Sequence, residues 1–237
     1  MNRVFHKFIG KFILVYLDDI LIFSKNEEEH VRHLAQVLQI LRENQFYAKM
    51  SKCHFGKDEL HYLGHVVGKE GIKVDPRKIE TVAKWHRPLE VGQLRSFLGL
   101  CNYFRRFIHG YSTLVAPLTS FTRSKVKFIW THDCECAFEN VKYALTHAPI
   151  LTLPTLGEPF EVVSDASLLG AGAVLLQGGK PIAFESKKFS PTERNYTTGE
   201  QELAAVVHAM RTWRCYLEGA DCTIVIDHNP LVYLKTQ

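Results

Sequence analysis

The chain has 237 residues, 46% hydrophobic and 23% charged, with 15 Gly, 9 Pro and a formal net charge of +4. This excludes disordered, collagen-like and low-complexity polymers and predicts a globular fold of one large or two small domains. The longest apolar run, Phe12 to Leu17, stops at Asp18 and Asp19, the N-terminus lacks a signal-peptide core, and the six cysteines form no C-x-x-C pair, so a reduced, intracellular, non-secreted protein without a membrane partner is expected.

The segment Lys11 to Lys25 predicts a β-hairpin, with strands Phe12 to Leu17 and Ile20 to Phe23 around a turn at Asp18-Asp19. Ser24 and Glu27 read as a capping box for a helix from about Glu27 to Asn44, whose apolar stripe is Val31, Leu34, Val37, Leu38 and Leu41. A small hairpin follows, from Tyr62 to Val67 and from Gly71 to Val74. Asp75-Pro76 then opens a helix, with Asp75 as cap and Pro76 where its missing N–H costs nothing. Leu94, Phe97, Leu98, Cys101, Phe104 and Ile108 predict a second helix, with Arg95, Arg105 and Arg106 among its polar positions.

Ser120 to Lys127 is polar and basic and reads as a domain boundary; Thr131 then caps a helix with Ala137, Phe138, Val141 and Leu145 inward. Beyond Phe160 the pattern turns to strands at Phe160 to Ser164, Ala171 to Gln177 and Pro181 to Glu185, the last two joined at Gly178-Gly179. A helix from Glu200 to Leu217 and a strand from Thr223 to Asp227 complete a β, β, β, α, β order, which describes a mixed sheet with a helix on one face.

The charge is unevenly placed along this chain. Residues 1–72 carry 10 Lys+Arg against 9 Asp+Glu, residues 73–130 carry 11 against 3, and residues 131–237 carry 8 against 13. A basic middle beside an acidic end fits a polyanion-binding surface next to a site that gathers carboxylates, although solvated surface charge gives the same totals. Two constellations stand out. Asp18 and Asp19 lie between strongly apolar strands, which fits either a solvated turn or a carboxylate pair beside a cation. Asp165, Glu202 and Asp227 sit at strand ends and a helix start, where such a sheet could bring them together around divalent cations. Glu200 competes with Glu202: two residues apart is about 200° around the helix, so only one can face the sheet.

Tyr16-Leu17-Asp18-Asp19-Ile20-Leu21-Ile22-Phe23-Ser24 resembles the Y-x-D-D hairpin of reverse transcriptases, in the form used by gypsy-class long-terminal-repeat retrotransposons. The resemblance continues in order. Tyr62 to Val67 with Gly71-Ile72 is similar to the primer-grip region, and Asp75 to Ile79 through Leu94 to Ile108 is similar to the thumb. Ser164-Asp165-Ala166-Ser167, Asn195-Tyr196 with Glu202-Leu203-Ala204, Trp213-Arg214 with Tyr216-Leu217, and Asp227 to Leu231 resemble the ribonuclease H domain of the same polyproteins.

The resemblance implies an α+β architecture: the C-terminal part of a reverse transcriptase palm over 1–73, a helical thumb over 74–124, and a ribonuclease H-like mixed sheet with helices over 125–237. It implies RNA-directed DNA synthesis at Asp18 and Asp19, and hydrolysis of the RNA strand of an RNA–DNA hybrid at Asp165, Glu202 and Asp227. The Glu-Leu-Ala order maps the family glutamate to Glu202 and leaves Glu200 on the surface. All five carboxylates would be metal ligands, for Mg²⁺ with Mn²⁺ as a substitute. The implied partners are the hybrid, a primer-template and, in the intact enzyme, a dNTP. Arg95, Arg105 and Arg106 would contact nucleic-acid backbone, giving salt-sensitive binding with little sequence preference. The implied setting is a cytoplasmic particle or the nucleus.

The family also uses a third palm carboxylate upstream of the hairpin and a fourth ribonuclease H carboxylate after Asp227, and neither falls within these residues. Both ends are thus expected to lie inside domains of a longer polyprotein. The competing expectation is a catalytically dead, nucleic-acid-binding remnant. A nucleotide-binding ATPase with the same sheet is disfavoured, because no glycine-rich phosphate loop is present.

Overall fold

A computed structural model describes residues 1–122, 126–155 and 157–226. The chain forms two compact units, Met1–Tyr62 and a second that starts at Leu63. Among the described residues, no helix is long and apolar enough to cross a membrane.

The first unit holds α1 (Asn2–Phe5), the antiparallel hairpin of β1 (Ile13–Tyr16) and β2 (Asp19–Ile22), α2 (Glu27–Glu43) and β3 (Glu59–Tyr62). Its core is Phe5, Phe12, Ile13, Val37 and Leu41. The hairpin turn lies one residue earlier than the expected Asp18-Asp19. Tyr16 pairs with Asp19, which leaves Leu17 and Asp18 as the loop, and Leu17 adopts a left-handed φ of 53°. A two-residue loop needs positive φ to match the strand twist, and this geometry overrides the usual preference for Gly or Asn. The cap of α2 also moves: Asn26 accepts from the Glu29 amide at 2.9 Å, and the Glu29 carboxylate accepts from the Lys25 amide at 2.9 Å. Ser24 lies two residues too early to cap a helix that starts at Glu27, and its hydroxyl meets His33 Nδ1 at 2.7 Å instead.

The second unit opens with the hairpin of β4 (His65–Gly68) and β5 (Gly71–Val74). Next comes α3 (Pro76–Ala83), where the Asp75 carboxylate accepts from the Arg77 amide at 2.9 Å as the Asp-Pro pair predicts. The second predicted helix is shorter than its apolar spacing suggests. It forms α4 (Val91–Tyr103) and gives way at Phe104 to a short 3₁₀ turn over Arg105–Phe107. The cause is tertiary: Tyr103, Phe104 and Phe107 wrap three sides of the His65 ring, with centroids at 5.4, 5.4 and 5.5 Å. A straight helix places residues 103, 104 and 107 on one stripe, which cannot surround a ring.

Two short helices, α5 (Tyr111–Leu114) and α6 (Ala116–Thr119), lead to α7 (His132–Thr146), capped by Thr131. Leu94, Phe97, Cys101, Phe104, Phe138, Val141 and Leu145 build the main core, with Phe97 against Phe138 at 4.7 Å and Trp85 at 5.7 Å.

A four-stranded sheet follows: β6 (Phe160–Ser167), β7 (Gly170–Gln177), β8 (Lys180–Lys188) and β9 (Cys222–Ile226), in the order β8-β7-β6-β9. Strands β6, β7 and β8 are antiparallel, and β9 runs parallel to β6. Gly178 and Gly179, both at positive φ, form the expected two-residue turn. The last predicted helix breaks at Trp213 into α8 (Thr198–Thr212) and α9 (Arg214–Leu217). Phe160, Val162, Ala173, Leu175, Ile182, Ala209 and Trp213 make a second core between sheet and helix. The expected β, β, β, α, β order is present.

Candidate catalytic carboxylates and nucleic-acid interface

Asp18 and Asp19 are both exposed, Asp18 in the loop and Asp19 at the first position of β2. Their neighbours Tyr16 and Leu17 are exposed as well, Leu17 at 77%. Ile13 and Leu21 are buried, so the inner side chains anchor the hairpin and its tip carries the charges into solvent. Tyr62, at the start of the segment similar to the primer grip, lies within reach of this charge. Partial burial and then Asp19 together raise the Tyr62 phenol above its ordinary value.

Asp165 lies inside β6, two residues from its end, exposed and opposite Gly172. By the strand alternation it leaves the face that Val162, Ser164 and Ala166 present to α8. Glu202 sits in the early turns of α8 and is 2% exposed. α8 packs on the sheet through Ala205, which clusters with Ala171 and Phe189, and Ala166 of β6 packs against that cluster. Glu200 is spent on the helix start: its carboxylate accepts from the Thr197 amide at 2.8 Å and the Thr197 hydroxyl at 2.9 Å. Those two bonds hold its carboxyl below the usual range. Asp227 lies outside the described residues, and among those described no three His, Cys, Asp or Glu side chains form a metal-holding group.

The three arginines separate. Arg95 is exposed on α4 and donates to the Thr122 carbonyl at 3.1 Å. Arg105 and Arg106 lie in the 3₁₀ turn rather than on a helix face, and both engage strand β8. Arg105 pairs with Glu185 at 3.5 Å, and Arg106 donates to the Ile182 carbonyl at 3.5 Å.

Comparison with known proteins decides what this arrangement belongs to. Residues 1–67 match the family described as reverse transcriptase (RNA-dependent DNA polymerase), and residues 130–225 match the RNase H-like domain found in reverse transcriptase. The chain is 39% identical over 236 residues to the retrovirus-related Pol polyprotein from transposon 297 of Drosophila melanogaster, with 99% of this chain and 22% of the relative covered. It is 35% identical to the corresponding polyprotein from transposon gypsy of the same organism, covering 98% of this chain and 24% of the relative. The chain belongs to the retrotransposon Pol polyprotein family.

This Pol chain thus spans about a quarter of the length of the curated relatives it matches. Its fold is that of the corresponding part of the foamy viral protease-reverse transcriptase. The structure of that protein in complex with RNA/DNA hybrid superposes with a TM-score of 0.88 at 25% identity, covering all of this chain and 32% of the other. The complex of the dRH form with double-stranded DNA gives 0.89 at 25% identity, covering all of this chain and 42% of the other. Reverse transcriptase and RNase H-like domains of this kind are in general dependent on divalent metals.

Two features of the Pol chain were not visible in its sequence. Glu185, 8% exposed, accepts from His208 on α8 at 3.4 Å as well as pairing with Arg105. Burial pushes its carboxyl up, but the His208 hydrogen bond and the Arg105 charge outweigh this, and it sits below the usual range. His65, desolvated within its aromatic cage and close to the Arg106 charge, is held below its ordinary value. Neither could be found from spacing, since the partners are 23 to 80 residues apart.

Proposed function

We propose that the chain carries part of a reverse transcriptase palm over 1–73, a thumb over 74–124 and a ribonuclease H-like domain over 125–237. On this reading Asp18 and Asp19 serve RNA-directed DNA synthesis from a primer-template and dNTP. Asp165, Glu202 and Asp227 serve hydrolysis of the RNA strand of an RNA–DNA hybrid. The observation that carries the reading is colinearity: the two family matches fall, in order, on the hairpin that holds Asp18 and Asp19 and on the sheet and helix that hold Asp165 and Glu202. The solved neighbours hold nucleic acid, one an RNA/DNA hybrid and one double-stranded DNA.

The residues fit Mg²⁺, with Mn²⁺ as a substitute. Every member of both sets offers carboxylate oxygens only, the donor type that a hard cation takes. Asp18 and Asp19 are exposed at a hairpin tip, where a cation and a phosphate can both approach. Two such ions, when bound, supply positive charge that stabilises the transferring phosphoryl group and favours ionisation of the attacking hydroxyl. The protein's part is placement. The tight turn sets Asp18 in the loop beside Asp19 at the start of β2, and α8, which bears Glu202, packs on the face of β6 opposite to the one from which Asp165 projects.

The test is cleavage of the labelled RNA strand of an RNA–DNA hybrid in Mg²⁺, by this chain and by its Asp165→Asn and Glu202→Gln variants. Cleavage by the parent and a loss of more than about a hundredfold in each variant support the reading, because metal ligands matter at least as much as their outer partners. Salt-sensitive binding with no cleavage by any form would instead leave a nucleic-acid-binding remnant.

A further inference from the structure

β8 is an edge strand of the sheet, and an edge presents backbone groups that no neighbouring strand satisfies. Here other parts of the chain satisfy them. The Ile182 carbonyl accepts from Arg106 Nη2 at 3.5 Å, and the preceding Pro181 carbonyl accepts from the Thr152 amide at 2.7 Å. Side chains of β8 are held in the same way. The Ser186 hydroxyl accepts from the Ser112 amide at 2.8 Å, and His109 meets Phe184 edge-on with centroids at 5.9 Å. Between them, Glu185 takes a charge from Arg105 and a hydrogen bond from His208.

We infer that residues 105–112 form a clasp on the edge strand β8, in which Arg105 and Arg106 are positioning residues and not nucleic-acid contacts. Arg106 is half-buried, and its buried Nε finds no partner among the described residues, so its head is turned into the protein. Arg105 is the countercharge of a carboxylate that is almost wholly out of water, and removing it leaves that carboxylate with only the His208 hydrogen bond and a backbone hydrogen bond from Ser186. His208 lies on α8, six residues beyond Glu202, so the contact runs from the helical segment through Glu185 to the helix that bears the proposed nuclease glutamate. The consequence for the nuclease rests on the proposed function; the clasp does not. On this reading Arg105, although half its side chain is exposed, and Arg106 serve the edge strand, and of the three arginines expected to contact nucleic acid only Arg95 keeps that role.

Hydrogen exchange on the full chain tests this directly. Arg105→Ala, Arg106→Ala and Glu185→Gln are each expected to speed exchange across 104–112 and 180–188 about tenfold. Arg105→Ala combined with Glu185→Gln should add little to either alone, and Arg105→Lys should keep most of the protection, which guards against an alanine variant that fails to fold. Unchanged exchange in the single variants, or effects of Arg105 and Glu185 that simply add, would overturn the clasp. In parallel, the salt dependence of hybrid binding should be the same for parent and variants. A slope reduced by about 0.9 per arginine removed would return these residues to the backbone-contact role and overturn the inference. If the chain binds no hybrid, the exchange experiment still decides the clasp, so the two failures are distinguishable.

Discussion

The hairpin of the first unit and the sheet of the second place their carboxylates in opposite ways. Asp18 and Asp19 stand in water at a hairpin tip, Asp18 in the two-residue loop and Asp19 at the start of β2, anchored by a small core of Phe5, Phe12, Ile13, Val37 and Leu41. Glu202 is buried on a helix that lies across a four-stranded sheet, in a unit with far more extensive apolar packing. Exposed carboxylates carry no desolvation cost and need only a tight turn to hold them together. A buried carboxylate requires hydrogen bonds or cations, and therefore a rigid frame that keeps them in place. Glu185 shows the same rule outside the proposed site, with one arginine and one histidine gathered around it.

This contrast can be broken by substitution. The largest expected effect is in the second unit, where Phe97→Ala empties a fully buried site between Trp85 and Phe138 and should cost about 3–5 kcal/mol in urea unfolding. In the smaller core Val37→Ala removes two buried methyl groups and should cost about 1.5 kcal/mol. Gly71→Ala falls between these two, at about 2–4 kcal/mol. Gly71 holds a φ of 132°, and a Cβ there would collide with the Leu151 carbonyl, next to the bridge in which Ile72 and Leu151 exchange hydrogen bonds at 2.7 and 2.9 Å. An unchanged melting temperature in that variant would contradict the close approach.

A smaller effect sharpens the role of Glu185. Because its folded carboxyl lies below the usual range, it adds stability that is present above the unfolded value near pH 4.3 and is lost as pH falls through the folded value. Denaturant titrations from pH 6 to pH 3 should therefore show a shallower acid decline in Glu185→Gln than in the parent. An identical decline would mean that Glu185 is not held ionised. The smallest effect belongs to the first unit, where Asn26→Ala removes the cap of α2 and should cost about 1 kcal/mol.

Much of this architecture was legible because its determinants are local. The alternating strands around Asp18, the Asp75-Pro76 helix start and the Gly178-Gly179 turn each depend on residues within a few positions. What escaped depends on distant partners. The apolar spacing through Phe104 and Ile108 continues a helical period, and only the caged His65, about 40 residues earlier, explains why α4 ends at Tyr103. Arg105 and Arg106 looked like the polar face of a helix because Glu185 and Ile182, 76 to 80 residues away, cannot be seen from spacing. The choice between Glu200 and Glu202 was open to periodicity alone. The family pattern assigned Glu202, and the structure gives Glu200 a separate task in the capping box with Thr197.

The central claim is that one chain carries two separate carboxylate sites, one for polymerisation and one for hydrolysis. The most direct measurement places Asp18→Asn and Asp165→Asn singly in the full-length Pol polypeptide and assays primer extension and hybrid cleavage side by side. The account predicts that Asp18→Asn abolishes extension and spares cleavage, and that Asp165→Asn does the reverse. Loss of both activities from either substitution, or cleavage that survives Asp165→Asn, would contradict it.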